Sequence, residues 1–257
     1  MEDFVRNRTA WDATSDEYQS RHAEQLERNP EAWGVWSLPE SDLRILGDVA
    51  NRDVLEYGCG AAAWSIALAK RGARVTALDN SSRQLSHASA ALARAGVDVR
   101  LVHAPAEQTP FANESFDIVF CDHGAMSFAA PERTIPEAAR ILRPGGLLAF
   151  SVEHPVHASA WDDATGAVSR TLGRPYFATG GVEDSAGGPL AFPCAISGYV
   201  ALLHAHGFVI EKLLEPRPPL AATTTYADFA PLDWARAFPA ELILAARLAG
   251  RRRPDES

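Results

Sequence analysis

This sequence predicts an α/β fold built on a doubly wound, mostly parallel sheet, and three observations predict it. From Arg52 to about Ser151, short apolar runs alternate with alanine-rich amphipathic stretches; the runs are apolar on both faces; and the first breaks into glycines before a helix. Strands that stay apolar along their length are buried on both sides, as in parallel sheets covered by helices. Connections between such strands are right-handed crossovers, and ligands bind beyond the carboxyl ends of the strands.

Taken in order, "RDVLEY", "ARVTALD", "DVRLVHA", "FDIVFCD" and "GGLLAFSV" read as strands, and "AAAWSIALAKRG", "SSRQLSHASAALARAG" and "PERTIPEAARILRPGG" as the helices between them. Ser81 suits an N-cap, and Gly72, Gly96 and Gly145 suit helix stops. This unit, residues 51–155, is the expected cofactor-binding core. Residues 1–50 read as an N-terminal helical lid or cap, with "NPEAWGVWSLPE" an aromatic loop leading into a helix from about Glu40. Its Trp11, Tyr18, Trp33 and Trp36 suit either a lid over a ligand or the glue that fastens helices to the sheet. Residues 156–192 are glycine-rich without helical period, a loop or loose β excursion on the substrate side. Over 193–250, "PCAISGYVALLHAHG" reads as a helix, "FVIEKLLEP" as a strand and "AELILAARL" as a final strand; 251–257 is an expected disordered tail.

Acids outnumber bases 33 to 24 over 257 residues, a net charge of −9. Nucleic-acid binding relies on a basic face for phosphate, so that partner class is disfavoured. The three cysteines are widely spaced with no CxxC, which argues against a disulfide framework or zinc site and for a reducing compartment. The first residues hold no apolar signal core, and no run of about 18 apolar residues occurs. A cytoplasmic protein with no membrane partner is expected.

The stretch "DVLEYGCGAAAW" carries the chemistry. Gly58, Cys59 and Gly60 turn the chain from strand into helix, leaving backbone N–H groups exposed and room for a ligand. Asp79 follows the second glycine by 79 − 60 = 19 residues, the spacing at which an acid accepts both hydroxyls of a ribose. It also suits the start of the next helix, and both roles can hold together. Glu56 stands two residues before Gly58. A carboxylate there repels a pyrophosphate and suits an ammonium with a sulfonium, which favours S-adenosylmethionine over a nicotinamide dinucleotide. No GxxxxGK[ST] run is present for a triphosphate.

"VLEYGCGAAAWSIALAKRGARVTALDNS", "APAEQTPFANESFDIVFCDHGAMSF" and "EAARILRPGGLLAFSV" resemble the successive motifs of class I S-adenosylmethionine-dependent methyltransferases. The similarity is to the small-molecule branch that includes the ubiquinone-biosynthesis enzymes, strong over residues 50–155 and looser beyond Pro193. It implies a Rossmann-like seven-stranded sheet, helices on both faces, with the last strand antiparallel at or beside an edge. It further implies that Glu56, Gly58, Cys59 and Gly60 surround the methionine and ribose portion, Asp79 holds the ribose, and Asn80 lies against the adenine. Ala106 and Glu107 would address the adenine edge, although Pro105 stands where the family often has an acid; Asp122 and His123 would line the methionine arm and the methyl group, and if the N-terminal aromatics form a lid, Tyr18 lies near the methionine end.

Methyl transfer needs nucleophile, methyl carbon and sulfur held in line, and a hydroxyl acceptor also needs a base. His123 and His154 follow the fourth and fifth strands and are the candidate catalytic residues; each could instead be a pocket or supporting residue. His154 with His157 lacks a third ligand, so no metal is expected. Where nucleic-acid and glutamine amine methylation uses an (Asp/Asn)-Pro-Pro-aromatic run, this chain has "CDHGAMSF". The expected acceptor is a small molecule offering O, N or C. Three rivals share much of the pattern: a non-methylating enzyme that keeps the same cofactor, a nicotinamide oxidoreductase, disfavoured by Glu56 and by the lack of a Tyr-x-x-x-Lys pair, and a non-catalytic binding partner in a larger assembly.

Overall fold

In the computed structural model, which describes residues 3–177, 180–183 and 188–250, seven strands form one sheet. They are β1 Asp53–Tyr57, β2 Arg74–Asp79, β3 Arg100–His103, β4 Phe116–Asp122, β5 Leu142–Glu153, β6 Phe208–Leu214 and β7 Glu241–Leu248. Their order across the sheet is β6-β7-β5-β4-β1-β2-β3. Pairings from β5 through β3 are parallel, and β7 runs antiparallel to both β5 and β6. The last strand thus lies beside an edge, as the sequence predicts.

The helices of six or more residues are α1 Asp3–Arg28, α2 Ala63–Lys70, α3 Ser82–Ala95, α4 Pro131–Ile141, α5 Pro155–Ala160, α6 Ile196–Ala205 and α7 Leu232–Ala237. Successive strand residues point to opposite faces, which gives two cores. Leu55, Tyr57, Val119 and Cys121 meet Ile135 and Ile141 of α4 and Tyr199 and Leu203 of α6. Their neighbours Val54, Ile118 and Phe120 meet Trp64 and Leu68 of α2 and Ala88 and Leu92 of α3. Both faces are therefore covered at the centre of the sheet, which is why β1, β4 and β5 read as largely apolar runs.

Ser81 caps α3, its side chain accepting the N–H of Gln84, and Gly96 ends that helix at φ +64°. Gly145 behaves otherwise. Helix α4 stops at Ile141, and β5 already begins at Leu142, so Gly145 lies inside a strand at φ +81°. The register against β4 slips there, from Phe116↔Leu142 to Ile118↔Leu147, because "RPGG" loops out of the ladder. The helix expected from Glu40 is only the four residues Glu40–Leu43. Its carboxylate explains the brevity, folding the chain by accepting the Trp33 indole N–H and the backbone N–H groups of Ile45, Leu46 and Gly47.

Within 156–192 the chain forms most of α5 and a hairpin of Trp161–Asp162 with Ala167–Val168. The expected tail, 251–257, lies outside the described residues.

Helix α1 crosses the carboxyl rim of the sheet with a polar inner face: its buried residues are Asn7, Ser15, Gln19, His22 and Gln25. Side-chain hydrogen bonds fasten it. Asp12 accepts from Ser81 and from the N–H of Arg83, Asp16 pairs with Arg83 and His87, and Gln19 donates to Gln84 at 2.9 Å.

Candidate functional site

A cavity of about 530 Å3 opens under α1 at the carboxyl ends of β1, β2 and β4. Its wall includes Tyr18, Glu56, Gly58, Cys59, Gly60, Asp79, Asn80, Ala106, Glu107, Asp122 and His123, so one site gathers these residues scattered from 18 to 123. His154 is not among them.

The glycine turn is tighter than the sequence suggests. Gly58 lies at φ +89°, and a Cβ there would fall 2.4 Å from the backbone nitrogen of Ala125. Its missing side chain admits the loop after β4, not a ligand. Gly60, at φ +52°, has only the Gln84 side chain at 3.8 Å on its open side. That is the glycine that leaves room.

Glu56 is buried, and its Oε2 accepts both the N–H of Ser65, at 3.0 Å, and the Ser65 hydroxyl. It thus satisfies a donor in the first turn of α2, where a negative group is favoured. Burial raises its pKa to about 8, against the Ser65 hydrogen bonds that pull the other way. Asp79 accepts the Gly60 N–H with one oxygen and the Ser81 N–H with the other, both at 2.8 Å. Burial raises this carboxyl too, more than those two bonds lower it.

Around the rim, Asn80 is tied to α1, donating to the Phe4 carbonyl at 2.6 Å and accepting from Arg8 at 3.1 Å. The buried Tyr57 hydroxyl donates to the Ala106 carbonyl, fixing that backbone at the cavity. Glu107 faces Arg133 at 3.6 Å. Asp122 accepts from the N–H of Gly34, at 2.8 Å, and from the Ser151 hydroxyl; burial raises its pKa, and the nearby His123 counters.

His123 takes the left-handed conformation, φ +48°, which sets its ring off the strand end. Its Nε2 lies 2.7 Å from Glu241 Oε1. Burial lowers its pKa, but the hydrogen bond and charge of Glu241 outweigh this and hold it above the ordinary value.

The expected base His154 has another task. Only 2% exposed, it caps α5 by accepting the Val156 N–H on Nδ1, while Nε2 meets Glu215 at 2.9 Å. Both ring nitrogens are occupied away from the cavity. His157 is likewise spent, on Glu153 and on the Phe229 carbonyl at 2.8 Å. Among the described residues no group of three or more His, Cys, Asp or Glu is arranged to hold a metal ion.

The four N-terminal aromatics divide. Trp11 and Tyr18 line the cavity, Trp11 standing edge-on to Tyr18 and Phe128. Trp33 packs on Trp64 and Phe120 in the second core, and Trp36 joins Trp234 and Ala160 in a third cluster. Sequence reasoning missed the segment between β6 and α7, which brings Tyr226 to within 2.7 Å of the Tyr18 hydroxyl and stacks it on His22 at 3.9 Å. It missed Glu241 as well. The available signal was an acid opening the apolar run "LILAA".

A strand–glycine–helix turn facing a rim acid, at the carboxyl edge of a doubly wound sheet, is the place where open α/β folds bind their ligands. Residues 55–150, from β1 into β5, match the family model described as a methyltransferase domain. The demethylmenaquinone methyltransferase of Clavibacter sepedonicus is 35% identical over 119 residues, 46% of each chain. The ubiquinone biosynthesis O-methyltransferase of Aromatoleum aromaticum is 37% identical over 106 residues, 40% of this chain and 44% of the relative. The match thus spans about half the length of these curated relatives. In fold, the S-adenosylmethionine-dependent methyltransferase of Mesorhizobium loti superposes with a TM-score of 0.65 at 24% identity, covering 80% of this chain and 96% of that one.

Proposed function

We propose that this protein transfers the methyl group of S-adenosylmethionine to a small-molecule acceptor by in-line displacement. The observation that carries the reading is the sign of charge at the glycine turn. Glu56, Asp79 and Asp122 all reach the cavity there, while the wall's Lys70 and Arg94 sit in the last turns of α2 and α3, at the far ends of those helices. Such a site favours an ammonium and a sulfonium, whose positive charge draws these burial-raised carboxyls into their ionised form, and disfavours phosphate. The open side of Gly60 and the paired oxygens of Asp79 fit a ribose beside the turn.

On this reading Asp79 holds the ribose hydroxyls, and Glu56, Gly58, Cys59 and Gly60 enclose the methionine portion. Asn80, Ala106 and Glu107 border the adenine, and Tyr18 and Asp122 border the methyl group. When bound, S-adenosylmethionine supplies a methyl carbon that bonds to the acceptor as the carbon–sulfur pair withdraws onto sulfur. The aromatic ceiling of Trp11 and Tyr18 excludes water from that line. The names of the two curated relatives support a small-molecule acceptor. We place the reaction in the cytoplasm, in keeping with three free thiols; no described helix is long and apolar enough to cross a membrane.

Calorimetry tests the proposal: S-adenosylmethionine and S-adenosylhomocysteine are expected to bind in the micromolar range. Folded protein that gives no heat with either, and no protection against thermal unfolding, sinks it.

A further inference from the structure

Glu241 is a buried charge that the cofactor reading leaves without a task. It opens β7, and because β7 runs antiparallel its first residue stands at the carboxyl rim, paired with Glu153 of β5. The residue is 1% exposed. Oε1 accepts the Val35 N–H at 2.8 Å and meets His123 Nε2 at 2.7 Å, while Oε2 is buried with no hydrogen-bond partner among the described residues. The aromatic loop is shaped around this carboxylate. A Cβ on Gly34, at φ +72°, would lie 2.4 Å from Oε1 and 2.8 Å from Oε2, so no side chain fits there.

Burying a carboxylate costs several kcal/mol unless it is paired, which makes its placement against His123 significant. An acceptor at Nε2 settles the neutral imidazole with its proton on that nitrogen and leaves Nδ1 as the basic one. His123 Nδ1 makes no hydrogen bond among the described residues, and its residue lines the cavity with Asp122 and Tyr18. The ring is also steadied edge-on against Phe229 at 5.9 Å.

We propose that Glu241 is a positioning residue that fixes His123 with Nδ1 as proton acceptor, so that the methyl acceptor is a neutral hydroxyl compound, a phenol or enol. This rests on the methyl-transfer reading and narrows it from any nucleophile to oxygen. The hydroxyl proton passes to Nδ1, the freed oxygen pair bonds to the methyl carbon, and the carbon–sulfur pair stays on sulfur. The resulting imidazolium is balanced by Glu241, and its proton leaves to solvent with the product. A neutral amine would need no such base. Other charges around His123 act in the same sense: Asp122 beside it and Glu153 on β5 both favour the protonated ring, and Tyr226 is the titratable group that the 215–231 segment brings near Glu241.

Two measurements decide it. In 15N-histidine-labelled protein, with the signal assigned by its loss in His123→Asn, neutral His123 is expected as the Nε2–H tautomer. Glu241→Gln is expected to lower its proton affinity tenfold or more, and Glu241→Asp to restore part of the loss. The tautomer is read in wild type, and His123→Asn serves only to assign the signal. A Nδ1–H tautomer, or a titration midpoint unmoved in a folded Glu241→Gln, overturns the proposal. Then 13C-methyl S-adenosylmethionine is incubated with a pooled metabolite extract. A methoxy product supports it and an N-methyl or C-methyl product overturns the hydroxyl assignment. Absence of any methylated product counts against the methyl-transfer reading itself, which S-adenosylhomocysteine calorimetry on the same protein separates from failure of the dyad.

Discussion

At the scale of single residues, Asp79 serves the turn and the cavity with one carboxylate. Each oxygen already accepts a backbone N–H, from Gly60 and from Ser81, and each keeps lone pairs for a second donor. Asp79→Ala removes a charge-assisted acceptor and is expected to cost about 1.5–3 kcal/mol of S-adenosylhomocysteine binding, roughly 10- to 150-fold in Kd. Calorimetry reads this, and an unchanged Kd would remove Asp79 from the site. Gly58 gives a prediction of a different kind. Its Cβ position collides with backbone rather than with a flexible side chain, and its φ is +89°. Gly58→Ala is therefore expected to displace the loop that carries Asp122 and His123, weakening ligand binding and lowering the melting temperature together. Melting at the wild-type temperature would show that the loop yields freely.

At the scale of elements, α1 is held by polar side chains, and these differ in worth. Gln25 is buried, donates to the Val35 carbonyl and the Ser37 hydroxyl, and accepts the Thr225 N–H at 2.6 Å. It joins three segments, α1, the aromatic loop and the stretch around Thr225. Gln25→Ala strands those groups and is expected to destabilise by about 1–3 kcal/mol in denaturant unfolding. Arg83→Ala breaks a pair with Asp16 in which both side chains are about half exposed or more, and is expected to leave the unfolding midpoint unchanged. Equal effects from the two would refute this ranking.

The same contrast explains what the sequence disclosed. The five strands from β1 to β5 and their helices were legible because burial on two faces writes itself as unbroken apolar runs. The acids Glu56, Asp79 and Asp122 were legible because each ends such a run. Residues 215–231 were not, since they have neither period, and Tyr226 acquires its place through contact with Tyr18, 208 positions away, and with His22. His154 misled for a related reason: following a strand puts a residue at the rim, but its side chain turned to cap α5.

At the scale of the whole molecule, the site lowers the stability that the cores provide, and pH exposes how much. Glu56 titrates near 8 in the folded chain because burial disfavours its charge. A raised carboxyl pKa means that the folded state holds a proton the unfolded chain has released, so stability is full below about 4.5 and falls as pH rises toward 8. The slope approaches roughly 1.4 kcal/mol per pH unit across that window. Asp79 and Asp122 shift in the same direction, while His22 and His154, held below their ordinary values by burial, oppose it above the acid range. Comparison with Glu56→Gln removes the contribution of groups distant from position 56 and leaves that of Glu56 together with its coupling to Asp79 and Asp122. Wild type is expected to lose stability relative to Glu56→Gln between pH 5 and pH 8. Adding S-adenosylhomocysteine, whose ammonium favours ionised Glu56, should recover more of that loss as pH rises. At a hundred times its Kd a ligand contributes about 2.7 kcal/mol, several degrees in the melting temperature of a chain of this size. That increment should therefore grow from pH 6 to pH 8 in wild type and stay flat in Glu56→Gln. Parallel curves for the two proteins would show that the ligand's positive end does not meet Glu56, and the charge argument for the whole site would fail with it.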